Sequence, residues 1–176
     1  MILDKQMGKA AKGRDKKAPS EDFFRAFYVM PGTTPVLHDE DPENVWAEGR
    51  FGFPAIGLKA AAVRAATDVQ LKMTDMRRAF HIPTELVEIK SEKNPVMRMD
   101  MVRVGMGTAD VRFRPEFQNW HTDVDIRYNE AVISIEQIVN LFNLAGFGVG
   151  IGEWRPEKEG QWGMFHVGDV HEIVAQ

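Results

Sequence analysis

The order of the elements predicted along the chain indicates an α+β, ferredoxin-like fold, in which two main helices cover one face of an antiparallel sheet. Three observations support this prediction. Residues 55–66 are rich in alanine and space their larger apolar side chains about one helical turn apart. Ser134 opens a second apolar pattern of helical period, and residues 121–128 alternate polar with apolar side chains as a strand does. The length of 176 residues fits one domain, predicted over residues 21–168.

A basic arm, residues 1–20, precedes this domain. Its first 17 residues hold six basic and two acidic side chains, a net charge of +4. The apolar residues of the arm have loosely helical spacing, but Gly8 and Gly13 each disfavour a helix by about 1 kcal/mol. The arm is therefore either a solvated tail or a segment that becomes ordered on a partner.

Two segments of different character follow the arm. Residues 23–29 are rich in phenylalanine and predict a buried strand. Residues 31–49 contain three prolines and a group of acidic side chains between Asp39 and Glu43, without clear periodicity. This pattern predicts an acidic surface loop.

The first main helix is predicted over residues 55–66, with Pro54 at a position suited to a helix start. Its small side chains would allow close packing against a sheet. A short helix is predicted from Thr74, a candidate N-cap, to Ala79. Leu86 and Val87 stand among charged neighbours and indicate a strand over residues 85–90.

The clearest alternation in the chain lies in residues 121–128 and predicts a strand with one buried and one wet face. The second main helix begins at Ser134, which forms a capping-box pattern with Gln137. Gly146 is its predicted end. Residues 169–176 are predicted to be a tail.

A C-terminal glycine-rich hairpin is predicted from two strands, residues 147–154 and 161–167. Alternating glycines leave one face of a strand bare, so that a backbone, a ring or a phosphate can approach, and Arg155 offers a planar fork for phosphate. The alternative is that the glycines serve helix packing and a bulged hairpin. The candidate nucleic-acid-binding residues of this element are Gly148, Gly150, Gly152, Trp154, Arg155, Gly160 and Gly163.

A second candidate binding group lies in residues 93–114, where five basic side chains and two acidic ones give a net charge of +3. A glycine-hinged loop bearing arginines can grip a phosphate backbone. In the alternative, the arginines pair with Asp100, Asp110 and Glu116. The five candidate residues are Lys93, Arg98, Arg103, Arg112 and Arg114.

Composition and spacing argue against several other function classes. The net charge of −4 means that nucleic acid would have to bind at a local patch. Serine and histidine occur in none of the usual catalytic or metal-binding spacings, and cysteine is absent. We therefore predict no enzyme activity, no cofactor and no metal. Lacking a long apolar run, the chain is expected to be cytoplasmic and to make no membrane contact.

The glycine-rich element reads GVGIGEWRP from Gly148 and GQWGMFHV from Gly160, and Phe53-Pro54-Ala55 leads into the alanine-rich helix. With Met101-Val102-Arg103-Val104-Gly105, Arg112 and Arg114, these motifs resemble a group of uncharacterised bacteriophage proteins. More widely, they resemble the repeat-associated mysterious proteins, the RAMP superfamily of CRISPR-associated RNA-binding proteins. The resemblance implies an RRM-like form of the ferredoxin-like fold that binds single-stranded nucleic acid as a side-by-side oligomer.

From these observations the leading hypothesis is a non-enzymatic, RAMP-like phage protein that forms homo-oligomers and binds single-stranded RNA or DNA in the host cytoplasm. The alternative is a structural or inhibitory protein–protein module, such as a virion or assembly component or a decoy of a host defence complex. A phage or host protein would then be its partner. The net charge of −4 and the acidic loop favour the alternative.

Overall fold

The computed structural model describes residues 18–104 and 108–171, without the side chains of residues 103, 104, 108 and 109. Most of the predicted basic arm, Gly105 and the end of the predicted tail lie outside the described residues. Within them the chain has four α-helices and antiparallel sheets, which confirms the predicted α+β class. None of these helices is long and apolar enough to cross a membrane.

The bounds of the elements are as follows. The helices are α1 (Pro19–Arg25), α2 (Ala55–Ala65), α3 (Met73–Ala79) and α4 (Ile135–Leu144). The strands are β1 (Tyr28–Val29), β2 (Val36–His38), β3 (Trp46–Glu48), β4 (Phe51–Pro54), β5 (Phe80–His81), β6 (Leu86–Ser91), β7 (Val96–Val104), β8 (Thr108–Glu116), β9 (Trp120–His121) and β10 (Arg127–Tyr128). Shorter turns are two of 3₁₀ type, Ala66–Val69 and Pro156–Lys158, and one of π type, Ala145–Val149.

The chain divides into two compact units. The first takes the residues up to Phe51 together with Lys90–Trp120, and the second takes Gly52–Ile89 together with the chain from His121 onward. Each unit buries its own apolar cluster.

The first unit is built on an antiparallel sheet of order β2-β3-β7-β8. Strands β7 and β8 form a long hairpin in register from the pair Val96–Glu116 to the pair Val104–Thr108. Helix α1 packs on β8 and buries Phe23 completely. The ring of Phe27 stacks on that of Phe51 at 4.1 Å, so aromatic packing closes this core.

The segment predicted as a phenylalanine-rich strand is mostly helical. Helix α1 has proline in its first turn, followed by Glu21 and Asp22, and Arg25 stands in its last turn. These charges complement the helix dipole, and Arg25 pairs with Glu21 one turn away. The ring of Phe23 in the helix and that of Phe27 just after it lie 4.9 Å apart. Charge placement, the proline of the first turn and packing on β8 outweighed the strand preference of the aromatic side chains.

The segment predicted as an acidic loop, residues 31–49, contains the paired strands β2 and β3. The acidic residues 39–43 lie in the connection between them. His38 is the last residue of β2 and Trp46 is the first residue of β3. Their rings stack at 3.7 Å with an interplanar angle of 6°. This stacked cross-strand pair stabilises the β2–β3 hairpin, which lies where the proline content had predicted a loop.

The second unit packs α2 against α4 and the π turn. Helix α2 buries Ala55, Ala61, Ala62 and Ala65, whose small side chains allow close approach of neighbouring elements. The predictions of α2, of α3 and of strand β6 are confirmed to within two residues at each end. Lys72 takes the N-cap of α3 in place of Thr74.

The capping box of α4 is present as predicted. The Ser134 side chain accepts a hydrogen bond from the Gln137 backbone N–H at 3.3 Å, and the Gln137 side chain accepts one from the Ser134 backbone N–H at 2.9 Å. The helix does not stop at Gly146, because the backbone continues into the π turn.

The predicted strand of residues 121–128 is paired only at its ends, in β9 and β10. Its side chains nevertheless alternate between exposed and half-buried, and Val124, Ile126 and Tyr128 pack on the core of the second unit. Alternating burial of side chains indicates an extended backbone that lies on an apolar surface, but it does not by itself indicate hydrogen bonding to a neighbouring strand.

The prediction of a C-terminal glycine-rich hairpin of two strands is wrong. Residues 146–165, here called the glycine-rich loop, form turns in place of strands. Its two limbs are joined by backbone hydrogen bonds, including Ile151 N–H to the Gly163 carbonyl at 2.9 Å and Trp162 N–H to the Trp154 carbonyl at 3.0 Å. Positive φ angles at Gly150, Gly163 and Trp154 turn the backbone away from strand geometry.

Candidate functional site

A cleft of about 560 Å³ lies within the second unit. One wall is the exposed side of α2, a second contribution comes from α3, and the opposite wall is the glycine-rich loop. Ile56, Phe53 and Met73 give it an apolar lining, and Ile56 is 76% exposed. Together these side chains give the cleft an apolar surface that a ligand can contact.

The charged lining of the cleft is strongly basic. Lys59, Arg64, Arg77 and Arg155 face one carboxylate, Glu157, so this lining has a net charge of +3 in a chain of net charge −4. Such a concentration of one sign of charge in a concave site raises the local concentration of anions. The cleft is therefore suited to a negatively charged ligand.

Lys59 is held in place by the end of α3. Its Nζ donates a hydrogen bond to the Arg77 carbonyl oxygen at 2.9 Å and lies 3.1 Å from His81 Nδ1. The same ammonium group lies 5.7 Å from the centre of the Phe80 ring. These contacts fix a positive charge at the base of the cleft.

Glu157 joins the two walls of the cleft. Its Oε2 accepts hydrogen bonds from Nη2 and Nε of Arg155 at 2.9 and 3.2 Å, and its Oε1 pairs with Nε of Arg64 on α2. The Glu157 side chain is 17% exposed and that of Arg64 is 61% exposed. A third bond from Arg155, from Nη1 to the Gly152 carbonyl at 3.1 Å, holds its guanidinium on the loop.

The glycines of the loop divide into two groups. A Cβ on Gly160 or Gly163 would lie 1.7 or 1.8 Å from a backbone oxygen, and a Cβ on Gly150 would lie 2.6 Å from Pro156. A Cβ on Gly146 would lie 1.8 Å from the Phe165 carbonyl oxygen. These four glycines permit close packing of the loop on itself. Beside Gly148 and Gly152 there is open space, so a ligand can approach the backbone there.

Three aromatic side chains of the glycine-rich loop are exposed. Phe147 is 75% exposed, Trp162 54% and Trp154 44%. Aromatic rings of this kind accept stacked bases or pack against a partner protein.

The second predicted group of binding residues belongs to the first unit and lies on strands, whereas a loop was expected. Arg98 of β7 and Arg114 of β8 are paired in register, as are Asp100 and Arg112, so all four side chains share one face of the hairpin. Lys93 lies in the turn before β7, and Arg103 lies opposite Ala109 near the hairpin tip.

Arg98 and Arg112 of this face are paired with carboxylates. Arg98 donates from Nε and Nη2 to both oxygens of Asp100 at 2.9 Å, and Arg112 donates from Nε to Asp110 at 3.0 Å. Arg98 also lies 3.7 Å from Glu116. Three arginines and three carboxylates make this face neutral, which is the pairing alternative raised by the sequence.

The opposite face of the β7–β8 hairpin is apolar. Met97 and Phe113 pack on the core of the first unit, whereas Met99 and Met101 are 68% and 72% exposed. The apolar face thus extends past the part that helix α1 and its neighbours cover.

Of the predicted site residues, the cleft brings together Gly150, Gly152 and Arg155. Lys59, Arg64 and Arg77 were missed. For Lys59 and Arg64 the sequence signal is on α2, where both lie at helical spacing from Ile56 and Ala60, which are exposed. These four residues line the cleft, while the buried face of the helix runs through Ala55, Leu58, Ala62, Val63 and Ala65. Arg77 lies on α3.

No family model, curated protein or solved structure matches the chain. In residues 18–104 and 108–171, no group of three or more histidine, aspartate or glutamate side chains is placed to hold a metal ion.

Proposed function

We propose that the protein is a non-enzymatic, RAMP-like module of ferredoxin-like, RRM-like type that oligomerises and binds single-stranded RNA or DNA. The basic cleft between α2 and the glycine-rich loop is the binding surface in this proposal. The observation that supports it is the net charge of +3 on the cleft lining in an otherwise acidic chain.

The arrangement of the cleft suits a flexible polyanion. Lys59, Arg77 and Arg64 would contact phosphate oxygens, and the apolar lining beside them would contact the sugars and bases. A duplex buries its bases, whereas a single strand can place them on an apolar surface such as Ile56. Charge and apolar area within one cleft therefore favour a single strand.

The loop beside the cleft supplies two further features. Open space beside Gly152 lets a ligand reach the backbone, and the exposed rings of Trp154 and Trp162 offer stacking surfaces. Base–aromatic stacking contributes about 1–3 kcal/mol per base in single-strand binding proteins. Stacking depends little on base identity, so the proposal predicts weak sequence preference.

The test is a fluorescence-polarisation titration of labelled single-stranded RNA and DNA at several salt concentrations. Lys59→Gln and Arg77→Gln should each weaken binding and lower the slope of log affinity against log salt by about 1. Arg127→Gln, on exposed β10 outside the cleft lining, is the matched control and should change neither.

Arg112→Gln serves a separate purpose, because it tests the predicted contribution of the hairpin. Loss of affinity in that variant alone would move the site to the first unit. Absence of binding to either strand type at low salt and about 100 μM protein would overturn the proposal. A nuclease assay with and without magnesium tests the prediction that the protein is not an enzyme.

The second candidate is the structural or inhibitory protein–protein module. It is favoured by the exposed Met99 and Met101 and by the neutral, ion-paired face on the other side of the same hairpin. Size-exclusion chromatography with light scattering, before and after nuclease treatment, separates the two functions. Assemblies that survive nuclease and carry no absorbance from nucleic acid would favour this second function.

A further inference from the structure

We propose that Glu157 occupies a phosphate subsite in the free protein, and that a phosphate group of the ligand replaces its carboxylate between Arg64 and Arg155. This inference rests on the proposed function, since it assigns one subsite within the same basic cleft. It identifies the ligand group as a phosphate mono- or diester, and it makes Glu157 the residue that limits affinity for it.

The geometry around Glu157 is that of an occupied anion site. One guanidinium approaches from the glycine-rich loop and a second from α2, and each uses a different carboxylate oxygen of Glu157. Arginine forks match the oxygen spacing of phosphate as well as that of carboxylate. A phosphate offers more acceptor oxygens than the carboxylate, so it can bond both arginines and face a further donor from the cleft.

The backbone that holds Glu157 is closed on itself. Lys158 N–H and Gly160 N–H both donate to the Arg155 carbonyl, at 2.8 and 3.1 Å, and fix the turn that carries Glu157. Replacement of the carboxylate therefore needs only rotation of the Glu157 side chain about its own bonds. The loop can keep its shape while the anion in the subsite changes.

The Arg64 side of the subsite is open to solvent. The Arg64 side chain is 61% exposed and that of Glu157 is 17% exposed, so an incoming phosphate can reach the Arg64 guanidinium first. The Glu157 carboxylate weakens the attraction of the cleft for an anionic ligand. With Glu157 ionised the charged lining is +3, and without that charge the same lining is +4.

The experiment compares Glu157→Gln with Glu159→Gln in the full chain. Both variants remove one negative charge from the same loop, but Glu159 does not line the cleft. Polarisation titrations with a labelled single strand, and calorimetric titrations with inorganic phosphate, are run on both variants and on the unmodified protein. Urea unfolding checks that each variant is folded.

The expected result is that Glu157→Gln binds the strand about tenfold more tightly at low salt and shows a steeper salt dependence, with a slope larger by about 1. Glu159→Gln should bind like the unmodified protein. The same order is expected with inorganic phosphate, which reports on the subsite without any base or sugar. In an Arg64→Gln background the gain from Glu157→Gln should disappear, because one side of the subsite is then missing.

Three other outcomes are decisive. If the strand binds but Glu157→Gln equals Glu159→Gln, the subsite is overturned and the proposed function stands. If Glu157→Gln binds more weakly, Glu157 positions the two arginines for the ligand and the replacement model is overturned. If neither the protein nor any folded variant binds strand or phosphate, both the inference and the proposed function are overturned.

Discussion

Gly163→Ala is expected to destabilise the second unit by about 1.5–3.5 kcal/mol. Two physical terms add at this position. Gly163 has a φ of +67°, a conformation that costs an alanine about 1–2 kcal/mol. Its added Cβ would also lie 1.8 Å from the Ile151 carbonyl oxygen. To relieve that contact the two limbs must separate, which lengthens the 2.9 Å bond from Ile151 N–H to the Gly163 carbonyl and costs about 0.5–1.5 kcal/mol.

Two other glycines of the loop separate these terms. Gly152 has a φ of +75° but open space where a Cβ would lie, so Gly152→Ala should cost only the conformational term, about 1–2 kcal/mol. Gly148 lies in the π turn with ordinary φ and open space, so alanine there should be neutral or stabilising by up to about 1 kcal/mol. The predicted order of stability is therefore Gly148→Ala above Gly152→Ala above Gly163→Ala.

Urea unfolding followed by tryptophan fluorescence measures this order, because Trp154 and Trp162 belong to the loop itself. Equal losses for Gly163→Ala and Gly152→Ala would refute the steric argument. A Gly152→Ala variant as stable as Gly148→Ala would refute the conformational one. Either result would mean that the loop closes differently from the structure described above.

Two further predictions concern single side chains. Arg98→Gln should lower the free energy of unfolding by about 1–3 kcal/mol, because it removes two hydrogen bonds from Asp100, whose side chain is 10% exposed. Arg112→Gln should lower it by no more than about 0.5 kcal/mol, because the Arg112 side chain is 46% exposed. Equal urea midpoints for the two variants would contradict this prediction. Ser134→Ala should cost about 1 kcal/mol through the lost helix cap, and it should raise the pKa of Glu136, which the hydrogen bond from the Ser134 hydroxyl holds below its ordinary value. A lowered folded-state pKa contributes stability at neutral pH that is lost as the pH falls through it, so part of the difference between Ser134→Ala and the parent should disappear in acid. An NMR titration of Glu136 and unfolding curves at several pH values measure both effects.

Elements whose signal is local were predicted from sequence with close bounds. The Ser134–Gln137 capping box and the α2 helix depend on residues within a few positions of one another, and their local hydrogen bonds and propensities suffice to form them. Elements that depend on distant partners were not. Strands β2 and β3 pair within a segment whose proline and acid content indicated a loop, and α1 replaced a predicted strand because its charges and its packing on β8 favoured a helix.

In the candidate site, too, the features with a local sequence signal were predicted, and those that depend on distant contacts were not. From the chain alone it was possible to identify the glycine-rich element and Arg155, because their composition is unusual in itself. Which of those glycines face open space, and which pack against Trp154 and Ile151, depends on how the loop closes.

The sequence by itself determined the α+β class, the main helices, the acidic net charge and the two regions rich in arginine and glycine. Only the tertiary structure decided which arginines face a concave surface. Arg98 and Arg112 were neutralised by carboxylates two residues away on the same strand face, whereas Lys59, Arg64 and Arg77 from two helices were gathered with Arg155 in one cleft. Charge along a chain is a sum over residues, but the field at a site depends on distance, and distance is set by folding.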